Sequence, residues 1–230
     1  MEGITPPGKP SGRRQEKRGD DSDVEAQSEL QKLRAEVRRL RAEVRDRDRT
    51  IERLQELAHR DLLTNIPNRR GLKEDVKRIF GAMRAASEQR EGFRIRAASV
   101  VLCDVDYFKV INDTYGHAEG DKVLQTVARI LSANVRASDI VGRWGGEEFA
   151  IVLLGADEEG AARIAEKLRQ CFAETVVRCG NENIRVTVSF GVYEIPKDTR
   201  SLDECIKKAD LALYRAKETG RNRVVKAGDL

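Results

Sequence analysis

The chain has 230 residues, 36% of them charged and only 5% aromatic, a balance too polar for one globule of that size, so part of it is expected to lie outside a core. Lys and Arg number 43 against 39 Asp and Glu, with the signs interspersed, so the small excess does not by itself suggest nucleic-acid binding and none is expected. No run approaches the roughly 18 apolar residues of a membrane span, and the charged N-terminus lacks the apolar core of a secretory signal, so no membrane insertion is expected. The four cysteines, Cys103, Cys171, Cys179 and Cys205, form no Cys-x-x-Cys pair and read as reduced thiols of a cytoplasmic protein.

Residues 1–27 are rich in Gly, Pro, Ser, Asp and Arg, and their near lack of large apolar side chains predicts a disordered tail. Over residues 28–60 the apolar positions Leu30, Leu33, Val37, Leu40, Val44, Ile51, Leu54 and Ala58 recur in steps of three and four, broken only at Arg47. A stripe that narrow predicts a coiled-coil dimerisation stalk; the alternative is a single solvated helix laced with charge pairs. From Asp61 the pattern becomes globular, and residues 61–230 form the expected domain. Helical periodicity is predicted at 69–90, 107–114, 119–135, 157–175 and 201–219. Strand patterns fall at 96–104, 139–144, 148–154 and 184–194, with a further short one over 223–226. Gly145-Gly146 between two of these runs signals a hairpin. This order is that of an α+β, split β-α-β fold of ferredoxin-like type, a central antiparallel sheet flanked by helices.

The first core strand ends in Asp104-Val105-Asp106, and alternation sends both acids to one face. Acids at the end of an apolar strand are costly unless solvated or neutralised by a cation. The hairpin carries a second acidic pair, Glu147-Glu148. The assumed fold makes that hairpin a sheet neighbour of the first strand, so the carboxylates are expected to converge. Hard oxygen ligands of this kind favour Mg²⁺. The glycines make sense if the turn needs positive φ or if a nucleotide base packs against bare backbone. Taken singly, Asp-x-Asp is more often a turn with a helix cap and Gly-Gly-acid more often an ordinary hairpin; their occurrence together in this fold order is what points to a metal site.

Arg143-Trp-Gly-Gly-Glu-Glu-Phe149 resembles the signature of GGDEF-domain diguanylate cyclases in its Gly-Gly-Glu-Glu-Phe form. Three further stretches resemble that family's other motifs: the run from Asp61 to Arg70, the run from Asp104 to Asp121, and the run from Ala212 to Asn222. Together they cover residues 61–226. Asn65 stands where the family usually has Gly, and Ile66 where it usually has Leu; Asn tolerates left-handed backbone better than other residues.

The resemblance implies a palm-type domain that condenses two GTP into cyclic di-GMP with release of two pyrophosphates. It also implies that the enzyme is active as a dimer, is inhibited by its product and uses Mg²⁺ or Mn²⁺. Asp104, the Val105 carbonyl and Glu147 would hold metal, Glu147 would also accept the ribose proton as the catalytic base, and Glu148 is a second acid beside it. Asn112 and Asp121 would read the guanine edge. The backbone at Tyr107 and Phe108 would cradle phosphate, with Gly145 and Gly146 bare beside the substrate. Lys109, Lys217 and Arg221 would supply positive charge for the triphosphate. Arg136 and Asp139, with Arg136 nine residues before Gly145, would form the inhibitory site for the product. His117 is read as a surface or capping residue and Trp144 as core packing. The competing function is a catalytically silent receptor for GTP or cyclic di-GMP.

Overall fold

The computed structural model describes residues 16–89, 97–180, 182–196, 199 and 201–230. Two compact units divide at Leu54. The first consists, among the described residues, of the helix α1 (Glu16–His59), whose last residues belong to the second unit. The expected tail falls partly outside the described residues, at 1–15. Residues 16–27, expected to be disordered, are instead helical. All five prolines but Pro67 and Pro196 lie before Glu16, and extending an existing helix is far easier than nucleating one, so the stalk helix runs on towards its N-terminus. The stripe from Leu30 to Leu54 is open to solvent in the single chain, with exposures between 44% at Val37 and 60% at Leu54. Arg47, which interrupts that stripe, pairs with Glu43 at 2.9 Å, and Arg39 pairs with Glu36 at 2.6 Å.

The second unit carries the sheet. After α2 (Arg69–Gln89) the chain forms β1 (Ala98–Val105), α3 (Phe108–Tyr115) and α4 (His117–Ala133). Then come the hairpin β2 (Ile140–Arg143) and β3 (Glu148–Leu154), α5 (Glu158–Glu174), β4 (Val176–Cys179) and β5 (Glu182–Arg185). The chain continues with β6 (Val188–Glu194), α6 (Leu202–Glu218) and β7 (Val224–Lys226). The main sheet has the order β2-β3-β1-β6-β7. It is the central antiparallel sheet expected, with one parallel pair at its edge, β6 and β7.

Alternation along β1 divides the core in two. Val101, Cys103 and Val105 face a cluster built with α4 and α5. Ala98, Val100 and Leu102 face a second cluster built with α2 and α6. With both faces covered, the strand reads as an unbroken apolar run. Helix α6 lies close on β6 because Gly191 has no side chain: a Cβ there would meet the Ala209 carbonyl oxygen at 2.1 Å.

The single strand expected over 184–194 is two. β5 pairs with β4, a strand not anticipated, in a separate two-stranded sheet, and the chain enters the main sheet only at Val188. Ile184, Val186 and Val188 all turn inward across the break, so the period-two pattern runs through it unchanged.

Candidate active site

The acids that end β1 have different fates. Asp106 is buried and fully engaged: it accepts from Ser189 Oγ at 2.7 Å, Thr187 Oγ1 at 2.8 Å and the Asn222 amide at 3.0 Å. It ties the start of β6 to the turn after α6, and is a structural clamp. Asp104 is equally buried but has one polar partner, Lys217 Nζ at 2.6 Å. Burial pushes the Asp104 carboxyl up to about 6 although Lys217 pulls it down, and Glu147 and Glu148 push it further up.

Strand pairing brings the second acidic pair alongside. Asp104 lies opposite Glu148 in register, and the Val105 amide donates to the Glu147 carbonyl at 3.4 Å. Burial raises the Glu148 carboxyl above its ordinary value, with Lys217 and Arg69 pulling it down and Asp210 and Glu147 pushing it up. Among the described residues no three His, Cys, Asp or Glu side chains already form a cage for an ion. The groups that meet here are carboxylates with surplus negative charge. Such hard oxygen donors suit a divalent cation that keeps waters in its shell.

The hairpin is held by a residue the sequence reading passed over. Arg143 donates through Nη1 to both Asp61 carboxylate oxygens at 3.0 Å, and through Nε and Nη2 to the Gly146 carbonyl at 3.0 and 2.7 Å. Burial pushes the Asp61 carboxyl up, but hydrogen bonds from Thr64 and Arg143 outweigh it and hold it below its ordinary value. The first motif is thereby explained. Asn65 adopts φ 56°, the left-handed backbone anticipated for it. Asn68 donates to the Ala58 and Arg60 carbonyls and accepts from the first amides of α2. Neither Gly145 nor Gly146 has positive φ, so that reason for the glycines fails. Gly146 faces open space, while a Cβ on Gly145 would meet Glu148 Oε2 at 2.7 Å.

Tyr107 enters α3 in the left-handed region at φ 57°, and no side chain caps the helix start at Phe108. Those first amides are free for an anion, as at other helix N-termini. Phe108 packs into the core, whereas Lys109 is exposed. Asn112 Oδ1 sits only 1.9 Å from where a Cβ on Gly120 would be, so its side chain takes that place only while residue 120 is glycine. Asp121 is exposed on α4. Lys217 closes α6, and Arg221 follows in the turn, its guanidinium over the Tyr107 ring at 4.6 Å. His117 opens α4 and is exposed, as expected. Trp144 packs at the edge of the core but also carries Arg69 and Lys73 over its ring, at 4.4 and 5.4 Å.

Arg136 and Asp139 lie apart from these groups, in the α4–β2 connection. They do not pair through their side chains. Asp139 instead accepts from the Arg136 amide at 3.0 Å and the Leu154 amide at 3.1 Å. Arg136 is exposed and lines a cleft of about 560 Å³ together with Asp139, Arg163 and Lys167.

The family described as diguanylate cyclase, GGDEF domain, matches residues 58–223. Diguanylate cyclase A of Treponema denticola is 34% identical over 171 residues, covering 74% of this chain and 45% of its own. The chain spans 36–45% of the length of this and two other curated relatives it matches. Two solved structures share the fold. The coiled coil and GGDEF domain of DgcB from Caulobacter crescentus, in complex with c-di-GMP, has a TM-score of 0.73 at 27% identity and covers 84% of this chain and 98% of that one. Diguanylate cyclase SiaD from Pseudomonas aeruginosa, with its activator SiaC, has a TM-score of 0.66 at 33% identity and covers 91% of this chain and 81% of that one.

Proposed function

The chain belongs to the GGDEF domain family, and on that premise we propose that it is a diguanylate cyclase. It would join two GTP into cyclic di-GMP, each 3′-oxygen bonding to the α-phosphorus of the other nucleotide as the bond to pyrophosphate breaks. The observation that carries this reading is the meeting of Asp104, Glu147 and Glu148 at the paired ends of β1 and β3, with Lys217 reaching in from α6. Asp104, the Val105 carbonyl and Glu147 would hold a divalent cation, with Glu148 beside them. Bound there, it lowers the pKa of the attacking hydroxyl and neutralises charge on the phosphoryl oxygens. Glu147 takes the hydroxyl proton. Asp121 accepts from the guanine nitrogen donors and the Asn112 amide donates to the guanine acceptors, as a carboxylate and an amide can. The free amides opening α3, with Lys109, Lys217 and Arg221, hold the phosphates.

Each domain holds one GTP, so two must face each other. The open stripe from Leu30 to Leu54 suits a second copy of residues 28–60, which would raise the effective concentration of the domains to about the millimolar range. Product would bind at Arg136 and Asp139. Arg163 and Lys167 on the same cleft add positive charge for its phosphates, and Asp139 keeps lone pairs for guanine donors after its two backbone bonds. Free thiols and the absence, among the described residues, of a helix long and apolar enough to cross a membrane accord with a cytoplasmic place for the reaction. Incubating the purified chain with GTP and Mg²⁺ tests the reading: cyclic di-GMP must appear. Binding of GTP or cyclic di-GMP without turnover would make the protein a silent receptor.

A further inference from the structure

Tyr107 is 60% exposed, and its neighbour Phe108 does the core packing, so burial does not explain this ring. Among the described residues its ring contact is the guanidinium of Arg221, 4.6 Å above the centroid. Among the described residues no carboxylate pairs with Arg221, whereas Lys217 is taken up by Asp104. Both partners sit on left-handed backbone, Tyr107 at φ 57° and Arg221 at 61°, and so does the next residue, Asn222, at 45°. Such backbone is unfavourable for a non-glycine residue and persists only where surrounding contacts fix it.

Those contacts are on either side of the pair. The Asn222 amide donates to Asp106, the residue before Tyr107, at 3.0 Å. Arg169 Nη1 holds the Asn222 side chain at 2.9 Å, and the Arg221 amide donates to the Ala216 carbonyl at 2.9 Å. The β1–α3 turn and the α6–β7 turn are thus stitched together so that the ring lies under the cation.

We propose that Tyr107 is a positioning residue, its ring the platform on which Arg221 waits for the triphosphate; this rests on reading the site as a GTP site. A free arginine loses much rotamer freedom on binding an anion. One already held over an aromatic face loses less. Stacking occupies only the flat face of the guanidinium, so its N–H edge stays free to donate to phosphate while the ring keeps its orientation. The role belongs to the side chain and is separate from any phosphate contact of the Tyr107 backbone.

The test uses the full chain with Tyr107→Leu, Tyr107→Phe, Arg221→Ala and the Tyr107→Leu/Arg221→Ala pair. Titration with a GTP analogue bearing a methylene between the α- and β-phosphorus should show Tyr107→Leu about fivefold weaker, the order expected when one arginine must be ordered on binding. Tyr107→Phe should match wild type, GMP binding should not change, and Tyr107→Leu should add no loss on top of Arg221→Ala. Equal loss towards GMP and the analogue, or additive losses in the pair, would overturn the platform. A second readout needs no nucleotide: the NMR ring-current shift of Arg221 Nε–H should vanish in Tyr107→Leu and persist in Tyr107→Phe. If no variant or wild type binds nucleotide, the GTP reading falls, and the ring-current shift still decides the platform. An Nε–H resonance unmoved by Tyr107→Leu would sink it.

Discussion

Truncating Arg143 to Ala removes two hydrogen bonds to Asp61 and two to the Gly146 carbonyl. The pair is neither surface nor core, with side chains 17% and 21% exposed. Exposed pairs contribute about 0–1 kcal/mol, and breaking a buried one costs about 3–5 kcal/mol. The expected loss is therefore about 2–3 kcal/mol. A domain of this size melts about 2–4 °C lower per kcal/mol, which gives a fall of roughly 4–12 °C. Urea denaturation should move the midpoint at unchanged slope. A double-mutant cycle with Asp61→Ala should return a coupling of about 1–2 kcal/mol. Arg143→Lys can reach one partner but not both, and should fall between. Turnover should drop by about a hundredfold in folded Arg143→Ala, because releasing the Gly146 carbonyl lets Glu147 drift, and displacements near 1 Å carry penalties of that order. A stability change under about 0.5 kcal/mol, or additive single effects, would refute the clamp. Unaltered turnover would refute its link to Glu147.

Glu147→Gln keeps the shape and loses the charge, so cyclic di-GMP synthesis should vanish while circular dichroism and the melting curve stay as in wild type; a folded variant turning over normally removes Glu147 from the chemistry. Deleting residues 1–58 should leave a folded domain that sediments as monomer and is slow at low concentration, and a full-length chain that is monomeric yet fully active would dismiss the stalk's role. Asp104, raised from 3.8 to about 6, is neutral in the folded state at pH values where the unfolded chain is already ionised. In chelator, wild type should therefore lose stability relative to Asp104→Asn as pH rises from about 4 through about 6, and Mg²⁺ affinity should fall about tenfold per unit below pH 6, both read by titration. Arg136→Ala should relieve product inhibition without raising the Michaelis constant for GTP, and equal inhibition of variant and wild type would discard that site.

Much of this was legible in the sequence, because period and order carry topology. An apolar run, a Gly-Gly hairpin signal and alternating helices were enough to place β3 beside β1. What escaped needed distance information. Arg143 and Asp61 are 82 residues apart, and nothing local to either announces the other. The residues of β5 and β6 share one alternating pattern, so only pairing shows that they belong to different sheets. The one signal that could have found Arg143 was the spare charge of an arginine two residues before the glycines, at the end of an apolar strand, where it needed a partner.

Asp104 and Asp106 make the same point inside the site. Both are acids on one strand end, two residues apart and equally buried. Spacing gives them the same standing, and only the count of donors separates them. Three hydrogen bonds satisfy Asp106, and its work is to bind β6 to the turn that carries Arg221 and Asn222. Asp104 has one lysine and two nearby carboxylates, and burial raises its pKa. An under-satisfied buried acid is tolerated only where something else completes it. The fold therefore meets the needs of one aspartate internally and leaves the other open to the cation and substrate proposed for it. By the same connection it fixes the turn of Arg221, so the structural acid sets the geometry in which the proposed functional one would operate.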